Sequence, residues 1–250
     1  FTGEPGFNNY DKTMASLGWE YFHDFGGGTT FRQNLRYGET TIDPSTSVGA
    51  FGLLADQRTL FRYLWSTQED EKTFGVDNNL QWRFSTGRAE HTLLTGLDYR
   101  RSRYSYDSNF VFAATGLDVF NPVYGTMPDL APHFDPATTA STRQTQSQLG
   151  LYVQDQIKLD RWVFTVGGRQ DWVGTDSNGG HQSDDKFSAR VGVNYVFDNG
   201  LAPYVGWSQS FQATVGTDFF GNAFVPTTGE QIGAGLKYQP ASGKVLATLA

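Results

Sequence analysis

Hydrophobic and polar residues alternate along most of the chain with a period of two rather than the 3.6 of a helix. Between Gln148 and Lys158 the apolar positions are Leu149, Leu151, Val153 and Ile157, and the residues between them are polar, small or tyrosine. Asp155 is the one charge on the apolar side. Successive side chains of a β-strand point to opposite faces, so this segment predicts a strand with one apolar and one polar face.

The same alternation recurs in both halves of the chain and predicts about ten strands, the first near Met14 and the last starting near Lys244. The stretch from Arg58 to Phe84 contains no clear turn and is interpreted as one long strand, with a hairpin at 69–72 as the alternative. Apolar positions that define the pattern elsewhere include Leu17, Trp19, Tyr37, Trp82, Leu97, Trp162, Val166, Phe187, Val191, Val205, Trp207 and Ile232.

The connections between these predicted strands alternate in length. Residues rich in Gly, Asn and Asp predict short turns at 25–28, 86–90, 160–161, 198–200 and 239–243. Asn199-Gly200 is a strong hairpin signal, because Gly adopts a positive φ at little cost. Longer irregular stretches are predicted at Thr41–Asp56, Asp107–Thr145, Ser177–Asp184 and Ala213–Thr227. Short and long connections in alternation are typical of outer-membrane barrels, which have tight periplasmic turns and long extracellular loops.

Composition favours a membrane β-barrel over the alternative, a soluble β-sandwich or soluble barrel. The chain has 250 residues, of which 20 are Phe, 12 Tyr and 6 Trp, yet only 38% are hydrophobic. The mean hydropathy is −0.45. In a membrane barrel only alternate residues face lipid, so a low mean hydropathy is expected. Arg and Gln at mid-strand on the polar side, and aromatic residues near the strand ends, favour the same fold, an all-β antiparallel transmembrane barrel.

Charge and cysteine content exclude some classes of function. The formal net charge is −7, which argues against a nucleic-acid-binding protein, since such proteins need a basic surface. The chain has no Cys and therefore neither disulfides nor thiolate metal sites. No apolar run approaches the roughly 18 residues of a transmembrane helix.

The membrane interpretation also predicts a topology. Gly27, Arg88, Arg161 and Asn199 should lie at the periplasmic end, because they sit in short turns. The extracellular end should carry Gly49, Pro128, Gly179 and Gly221. The part of the strand after Arg58 should then stand above the lipid.

An ordered series of motifs resembles the ferrichrome-type branch of the TonB-dependent siderophore receptors. The motifs follow in the same order and spacing over nearly the whole chain, at Phe31–Tyr37, Phe84–Gly87, His91–Tyr99, Leu151–Gln156, Val166–Trp172, Asn194–Tyr204 and Ser208–Phe211. Each motif alone is weak, and their ordered series is specific.

This resemblance implies a receptor and transporter rather than an enzyme, located in the outer membrane of a Gram-negative bacterium. Receptors of this type have barrels of roughly 22 strands with a plugged lumen. Residues 1–250 would then be a partial barrel domain without the plug domain and the C-terminal strands. The implied partners are a ferric siderophore, expected to be a hydroxamate, a TonB-type energy-coupling protein and outer-membrane lipid, and the complete protein should be a monomer. Iron arrives as a siderophore chelate, so no cofactor or protein metal ligand is implied.

The candidate ligand-binding residues are Tyr104, Tyr106, Phe110 and Phe112, which run from a rising strand into the longest predicted loop. Alternation places Tyr104 and Tyr106 on the inner face, and the family holds hydroxamate chelates in an aromatic extracellular pocket. Phe51 is the only aromatic residue in Thr41–Asp56, where ferrichrome receptors present tyrosines, so ferrichrome itself is in doubt. Ordinary loop packing remains an equal explanation of these rings.

Polar-face charges and candidate catalytic residues leave further alternatives open. The charges could hold a plug or could pair with each other along a wet wall; they are Arg32, Arg36, Asp77, Arg83, Asp98, Arg100, Arg169, Asp171 and Arg190. The histidines have no metal-ligand spacing. Ser208 lacks the second Gly of a nucleophile elbow, and His181 near Asp184 and Asp185 is explained by loop solvation. An outer-membrane hydrolase and a passive porin are the alternative functions.

Overall fold

A computed structural model describes residues 2–111, 116–125 and 138–250 as a sheet of eleven strands. The strand pairings run antiparallel, as the sequence predicts. The strands are β1 (Lys12–Gly26), β2 (Thr29–Leu53), β3 (Thr59–Thr86), β4 (Ala89–Val111), β5 (Leu117–Asp118), β6 (Ala140–Leu159), β7 (Trp162–Ser177), β8 (Gly180–Tyr195), β9 (Leu201–Gln212), β10 (Thr227–Tyr238) and β11 (Ala247–Leu249). None of the described residues forms a helix long and apolar enough to cross a membrane.

Strands follow one another in the sheet in chain order, except that β5 pairs with β3 beside the main path. The 28 residues of β3 confirm the long strand predicted after Arg58, and the alternative hairpin at 69–72 is wrong. The extra strand, β5, lies inside the predicted irregular stretch 107–145 and pairs Leu117 with Leu60.

Two predicted irregular stretches are wrong. Residues 41–53 continue β2, and the β2–β3 connection is only 54–58. Ser177–Asp184 is not a long loop, because β7 and β8 are joined by Asn178 and Gly179 alone. Both residues have positive φ, 47° and 85°, as a tight hairpin turn requires. The irregular stretch after Ala213 is confirmed, since β9 ends at Gln212 and β10 starts at Thr227.

Side chains sort into the two predicted faces. Across β7, β8, β9 and β10 the register aligns Val166, Val191, Trp207 and Ile232 on one face. The next row, on the other face, is Gly167, Arg190, Ser208 and Gln231. The predicted apolar residues are exposed, among them Trp82 at 46%, Leu97 at 39%, Val153 at 50% and Val191 at 47%. A sheet with a continuous exposed apolar face suits contact with lipid rather than water.

The chain divides into two compact units, each built from three segments. The first unit comprises residues 1–17, 37–73 and 102–145, and the second comprises 18–36, 74–101 and 146–250.

Within the second unit the predicted short turns are neighbours at one end. The Arg88 guanidinium bonds both carboxylate oxygens of Asp160, at 2.6 and 2.8 Å. The backbone N–H of Val196 donates to the Arg161 carbonyl at 2.8 Å, and that of Gln239 donates to the Gly200 carbonyl at 2.8 Å. The β7–β8 turn lies at the opposite end of its strands. Gly49 belongs to the first unit, and Pro128 lies outside the described residues.

Candidate functional site

In the first unit, polar and aromatic side chains of β3 and β4 meet on one face. Tyr104 Oη donates a 3.2 Å hydrogen bond to Glu69 Oε2, and Ser102 Oγ donates one of 3.2 Å to Glu71 Oε1. The rings of Tyr104 and Tyr106 stack with centroids 6.2 Å apart and planes within 8°. Alternate residues of a strand share a face, so even positions of β4 and odd positions of β3 form one surface here. We refer to it as the site face.

Tyr104 is held as a hydrogen-bond donor on the site face. Burial, followed by the charge and hydrogen bond of Glu69, raises the pKa of Tyr104 to about 12. A barrel strand needs about 9–11 residues to cross a membrane. Tyr104 stands fifteen positions beyond Ala89, where β4 begins, and therefore lies past such a span. Its hydroxyl stays protonated at neutral pH, so it can donate to Glu69 or to an oxygen of a ligand.

A cavity of about 580 Å³ opens on this face beside Tyr106. Its wall combines aromatic rings, hydroxyls, amides and one carboxylate, from Asn8, Asn9, Tyr10, Ser45, Thr46, Ser47, Trp65, Thr67, Glu69 and Tyr106. The segment before β1 is tied to β2 by two backbone hydrogen bonds between Asn9 and Thr46, at 2.9 and 3.1 Å. Ser45 Oγ lies 2.7 Å from Thr67 Oγ1 and joins β2 to β3. The cavity is thus amphipathic, and these hydrogen bonds tie the segment before β1 to β2 and tie β2 to β3 beside it.

Four rings from β2, β3 and β4 form a second aromatic group in the same unit, which we call the four-ring cluster. Phe51 and Phe110 lie with ring centroids 4.6 and 4.7 Å from that of Tyr63, and Phe61 is 5.9 Å from Phe51. Gly49 makes room for the cluster, because a Cβ there would lie 2.1 Å from the Tyr63 ring. Phe51 remains 59% exposed and Phe110 40%, so the cluster presents open ring surface.

The structure groups the predicted ligand-binding residues in two places. Tyr104 and Tyr106 stack together near the cavity, and Tyr106 lines it. Phe110 joins the four-ring cluster. Phe112 lies outside the described residues. Their role in binding a ligand stays a prediction.

Other aromatic residues of this region were missed from the sequence. Phe61, Tyr63 and Trp65 are odd positions of β3, the same parity as the polar-face residues Asp77 and Asn79. Extending the alternation through all of β3 would have placed these three rings on the inner side. The signal was therefore present in the sequence.

A buried ion pair fixes the segment before β1. Arg62 is fully buried, and its Nη1 lies 3.1 Å from Glu4 Oε2 and 3.0 Å from the Gly3 carbonyl oxygen. The other carboxylate oxygen of Glu4 accepts a hydrogen bond from the backbone N–H of Gly125. Residues of three separate segments thus converge on one carboxylate.

In the second unit the polar-face charges are partly paired with each other. Arg169 bonds Asp98 at 2.5 and 3.1 Å and Asp171 at 2.7 to 3.0 Å, and Tyr152 Oη donates to Asp77 at 2.7 Å. This supports the interpretation as a ladder of mutual pairs for these residues. Within the described residues, no acid pairs with five other arginines of this face, which are Arg32, Arg36, Arg83, Arg100 and Arg190.

The proposed catalytic alternatives gain no support from the predicted residues. His181 Nδ1 lies 2.8 Å from Asp176, not from Asp184 or Asp185, and both partners are exposed. No group of three potential metal ligands occurs in the part of the chain that the structure describes.

A hydroxyl, an imidazole and a carboxylate do line up elsewhere in the second unit. His91 lies 2.7 Å from Thr86 Oγ1 and 2.7 Å from Asp155 Oδ2, and its ring stacks on Phe84 at 4.7 Å. These residues belong to the apolar face, where His91 contacts Oδ2 of Asp155, the one acidic group of the 148–158 segment. The sequence predicted the charge of Asp155 on this side but not its partner.

Comparison with known proteins matches the chain to one family of β-barrel receptors. The family model described as "TonB dependent receptor-like, beta-barrel" matches residues 1–250. The ferrichrome outer membrane transporter/phage receptor of Escherichia coli strain K12 is 35% identical over 270 residues, which cover 96% of this chain and 36% of that protein. The ferrioxamine B receptor of Salmonella typhimurium is 35% identical over 249 residues, covering 97% of this chain and 34% of that protein.

A solved structure is similar in fold. The ferric-catecholate import receptor Fiu of Escherichia coli K12, in its closed form, superimposes with a TM-score of 0.80 at 16% identity. The match covers 97% of this chain and 40% of that chain. The two curated relatives described above are longer proteins, and this chain spans about a third of their length.

Proposed function

The chain belongs to the TonB-dependent receptor-like β-barrel family, and on that premise we propose that it forms part of an outer-membrane receptor for ferric siderophores. The ligand class we propose is the hydroxamate siderophores. Two relatives that are 35% identical over nearly all of this chain are receptors named for ferrichrome and ferrioxamine B. The observation that carries the proposal is the amphipathic cavity on the site face, together with its rings.

The chemistry of the cavity fits a ferric hydroxamate chelate. Such a chelate shields its iron with its own oxygens, so the protein has to recognise an organic shell rather than the metal. The Tyr106 and Trp65 rings can cover apolar parts of that shell. The Ser45 and Ser47 hydroxyls of the wall can donate hydrogen bonds to its oxygens. The protonated Tyr104 hydroxyl is a further donor beside the cavity, where its ring stacks on that of Tyr106. Small-molecule sites are commonly concave, largely apolar and supplied with a few oriented polar groups.

We propose that residues 1–250 are one part of the barrel domain of this receptor. The complete protein would carry a plug domain inside the barrel and a segment that contacts a TonB-type energy-coupling protein. It would work as a monomer. The exposed apolar face favours its location in outer-membrane lipid. The five arginines for which the described part of the chain supplies no acidic partner would then face the plug or its exit path. Iron would be cargo within the siderophore, and no cofactor of the protein's own is proposed.

The first experiment is a binding titration on the purified full-length receptor. Ferrichrome, ferrioxamine B and unrelated iron chelates would be titrated with intrinsic tryptophan fluorescence as the readout. Saturable binding of at least one ferric hydroxamate is expected. Absence of binding by every hydroxamate, together with free diffusion of small solutes through the reconstituted protein, would favour the passive porin. Release of fatty acids from lipid vesicles would favour the hydrolase.

A further inference from the structure

The β9–β10 connection, residues 213–226 of the second unit, contains a small ordered hairpin. Thr217 pairs with Ala223 in an antiparallel bridge. The Phe224 N–H donates to the Gly216 carbonyl at 3.0 Å, and the Asp218 N–H donates to the Asn222 carbonyl at 2.8 Å. Gly221 takes a φ of 83° at the turn, where a side chain would be strained. We call residues 216–224 the loop hairpin.

One carboxylate organises the turn of the loop hairpin. Asp218 Oδ1 accepts hydrogen bonds from the backbone N–H groups of Phe220 and Asn222, at 2.8 and 2.9 Å. Asp218 Oδ2 accepts a third from the Asn222 side-chain amide at 3.0 Å. These hydrogen bonds lower the pKa of Asp218. The turn is therefore held in one conformation by a group that is charged at neutral pH.

The ordered turn displays two uncovered phenylalanines. Phe219 is 97% exposed and Phe220 83%. Their rings meet edge to face, with centroids 5.4 Å apart. An isolated exposed apolar residue is ordinary, but an adjacent pair held outward by a hydrogen-bonded turn is a preorganised contact surface.

The base of the loop hairpin lies against the polar face of the sheet. Gln182 Nε2 donates to the Phe224 carbonyl at 2.9 Å and to Asp184 Oδ2 at 2.9 Å. Gln182 is an even position of β8 and shares its face with Arg190, whereas Phe187 and Val191 are on the apolar face. The hairpin is thus attached on the side turned away from lipid, which argues against a lipid contact for the two rings.

The area of the Phe219 and Phe220 rings indicates what kind of molecule can bind to them. Two phenylalanine side chains can bury roughly 300–500 Å² together. A stable protein–protein interface needs about 800 Å² from each partner, so the pair is too small for a protein. It matches one face of a small molecule. A ligand with an apolar outer surface and buried polar groups, such as a metal chelate, would gain from contact with both rings.

We propose that Phe219 and Phe220 of the loop hairpin contact the apolar outer surface of the ferric hydroxamate chelate and contribute to its capture. The proposal rests on the siderophore-receptor function proposed above and concerns a contact made by the second unit alone. The Asp218 turn keeps the rings in place before the ligand arrives, so little ordering of the hairpin opposes binding.

The test uses the full-length receptor with Phe219→Ala and Phe220→Ala, singly and together, and titrates ferrichrome and ferrioxamine B. The double variant is expected to bind at least one of them about 5- to 30-fold more weakly. Phe219→Tyr with Phe220→Tyr should restore most of the affinity, because the rings return. The matched control is Phe25→Ala, another exposed phenylalanine of the second unit, which lies at the short-turn end. Its affinity should equal that of the unmodified receptor.

The outcomes separate this inference from the proposed function. If the unmodified receptor binds neither chelate, both the proposed function and this inference are overturned. If the unmodified receptor binds and the double alanine variant binds equally well, only the inference is overturned. A loss that the tyrosine pair does not restore would also overturn it, since it would report a disturbed hairpin rather than lost ring contacts.

Discussion

At the scale of single residues, the rings at the cavity and in the four-ring cluster should determine ligand affinity. Tyr106 lines the cavity and Phe110 presents 40% of its surface, so each can contact a chelate directly. In the full-length receptor, Tyr106→Ala or Phe110→Ala should weaken binding of a ferric hydroxamate by about 1–2 kcal/mol. Binding titrations with several ferric hydroxamates would measure this. Tyr104→Ala and Phe112→Ala complete the set.

The control for this series is Phe187→Ala, an exposed ring on the apolar face. It should leave affinity unchanged, and all variants should reach the outer membrane in normal amounts. If the four site variants kept full affinity for every hydroxamate, the rings would serve loop packing alone.

The buried pair of Arg62 and Glu4 should matter for stability rather than for contact with a ligand. Glu4→Ala removes the carboxylate from a fully buried guanidinium and should cost about 3–5 kcal/mol in free energy of unfolding. A urea titration of the full-length receptor would measure the loss. Replacing both partners by apolar residues, Glu4→Leu with Arg62→Met, should cost less, because both charged groups are then removed from the buried position.

Glu90→Ala provides the matched control for that prediction. It breaks the exposed ion pair with Lys158, whose nitrogen lies 3.2 Å from the carboxylate. Exposed ion pairs contribute little to stability, so the urea midpoint should barely move. An equal loss in Glu90→Ala and Glu4→Ala would show that burial of the ion pair does not determine its effect on stability.

At the scale of elements, aspartate-capped turns should respond to acid. The pKa of Asp218 is lowered by the hydrogen bonds it accepts, so ionisation of this group stabilises the loop hairpin. That contribution is complete above the ordinary aspartate value of 3.8 and is lost as the pH falls through the lowered pKa. Amide hydrogen exchange at Phe220 and Asn222 should accelerate in that range, beyond the intrinsic pH dependence.

Asp218→Asn supplies the comparison for the acid response. Its side-chain oxygen can still accept the backbone hydrogen bonds, but it does not titrate. Protection of the two amides should therefore become independent of this ionisation. If the aspartate and asparagine proteins showed the same dependence on pH, the cap would not be the cause.

The predicted and observed strands differ mainly where the apolar stripe is missing. Strand faces were predictable wherever one side meets an apolar environment, as for Val153 and Val191, because the period-two pattern survives there. Residues 41–53 combine Pro44, Gly49 and Gly52 with several Ser and Thr, and residues 177–184 are polar on both faces, so the composition of both stretches resembles that of a loop. The structure extends β2 through the first and closes the second with Asn178-Gly179. The dipeptide was a usable hairpin signal, but the polar surroundings outweighed it.

The candidate site was only partly predictable for a related reason. Tyr104 and Tyr106 could be placed by alternation along one strand. The four-ring cluster forms only because three strands pair and bring together Phe51, Tyr63 and Phe110. No single segment of the sequence indicates the register of that pairing. The contribution of Asn9 and Tyr10 required the docking of the segment before β1, for which the sequence offers no periodic pattern.

At the scale of the whole molecule, the two faces and the position of the short turns predict how the receptor sits in the membrane. Asn199 lies at the end where the short turns gather, and Phe219 lies in the connection at the other end of its strands. In outer-membrane barrels short turns face the periplasm and long loops face the exterior.

Single introduced cysteines would test this orientation in the full-length receptor. This chain has no Cys of its own, and any native cysteines elsewhere in the receptor would first be replaced by Ser. A membrane-impermeant thiol reagent should label Phe219→Cys and Pro128→Cys on intact cells. Asn199→Cys should react only after the outer membrane is opened, which also proves that its thiol is reactive. Labelling at 199 but not at 128 or 219 on intact cells would reverse the orientation, and the loop hairpin would then face the periplasm, where it could not meet a siderophore arriving from outside.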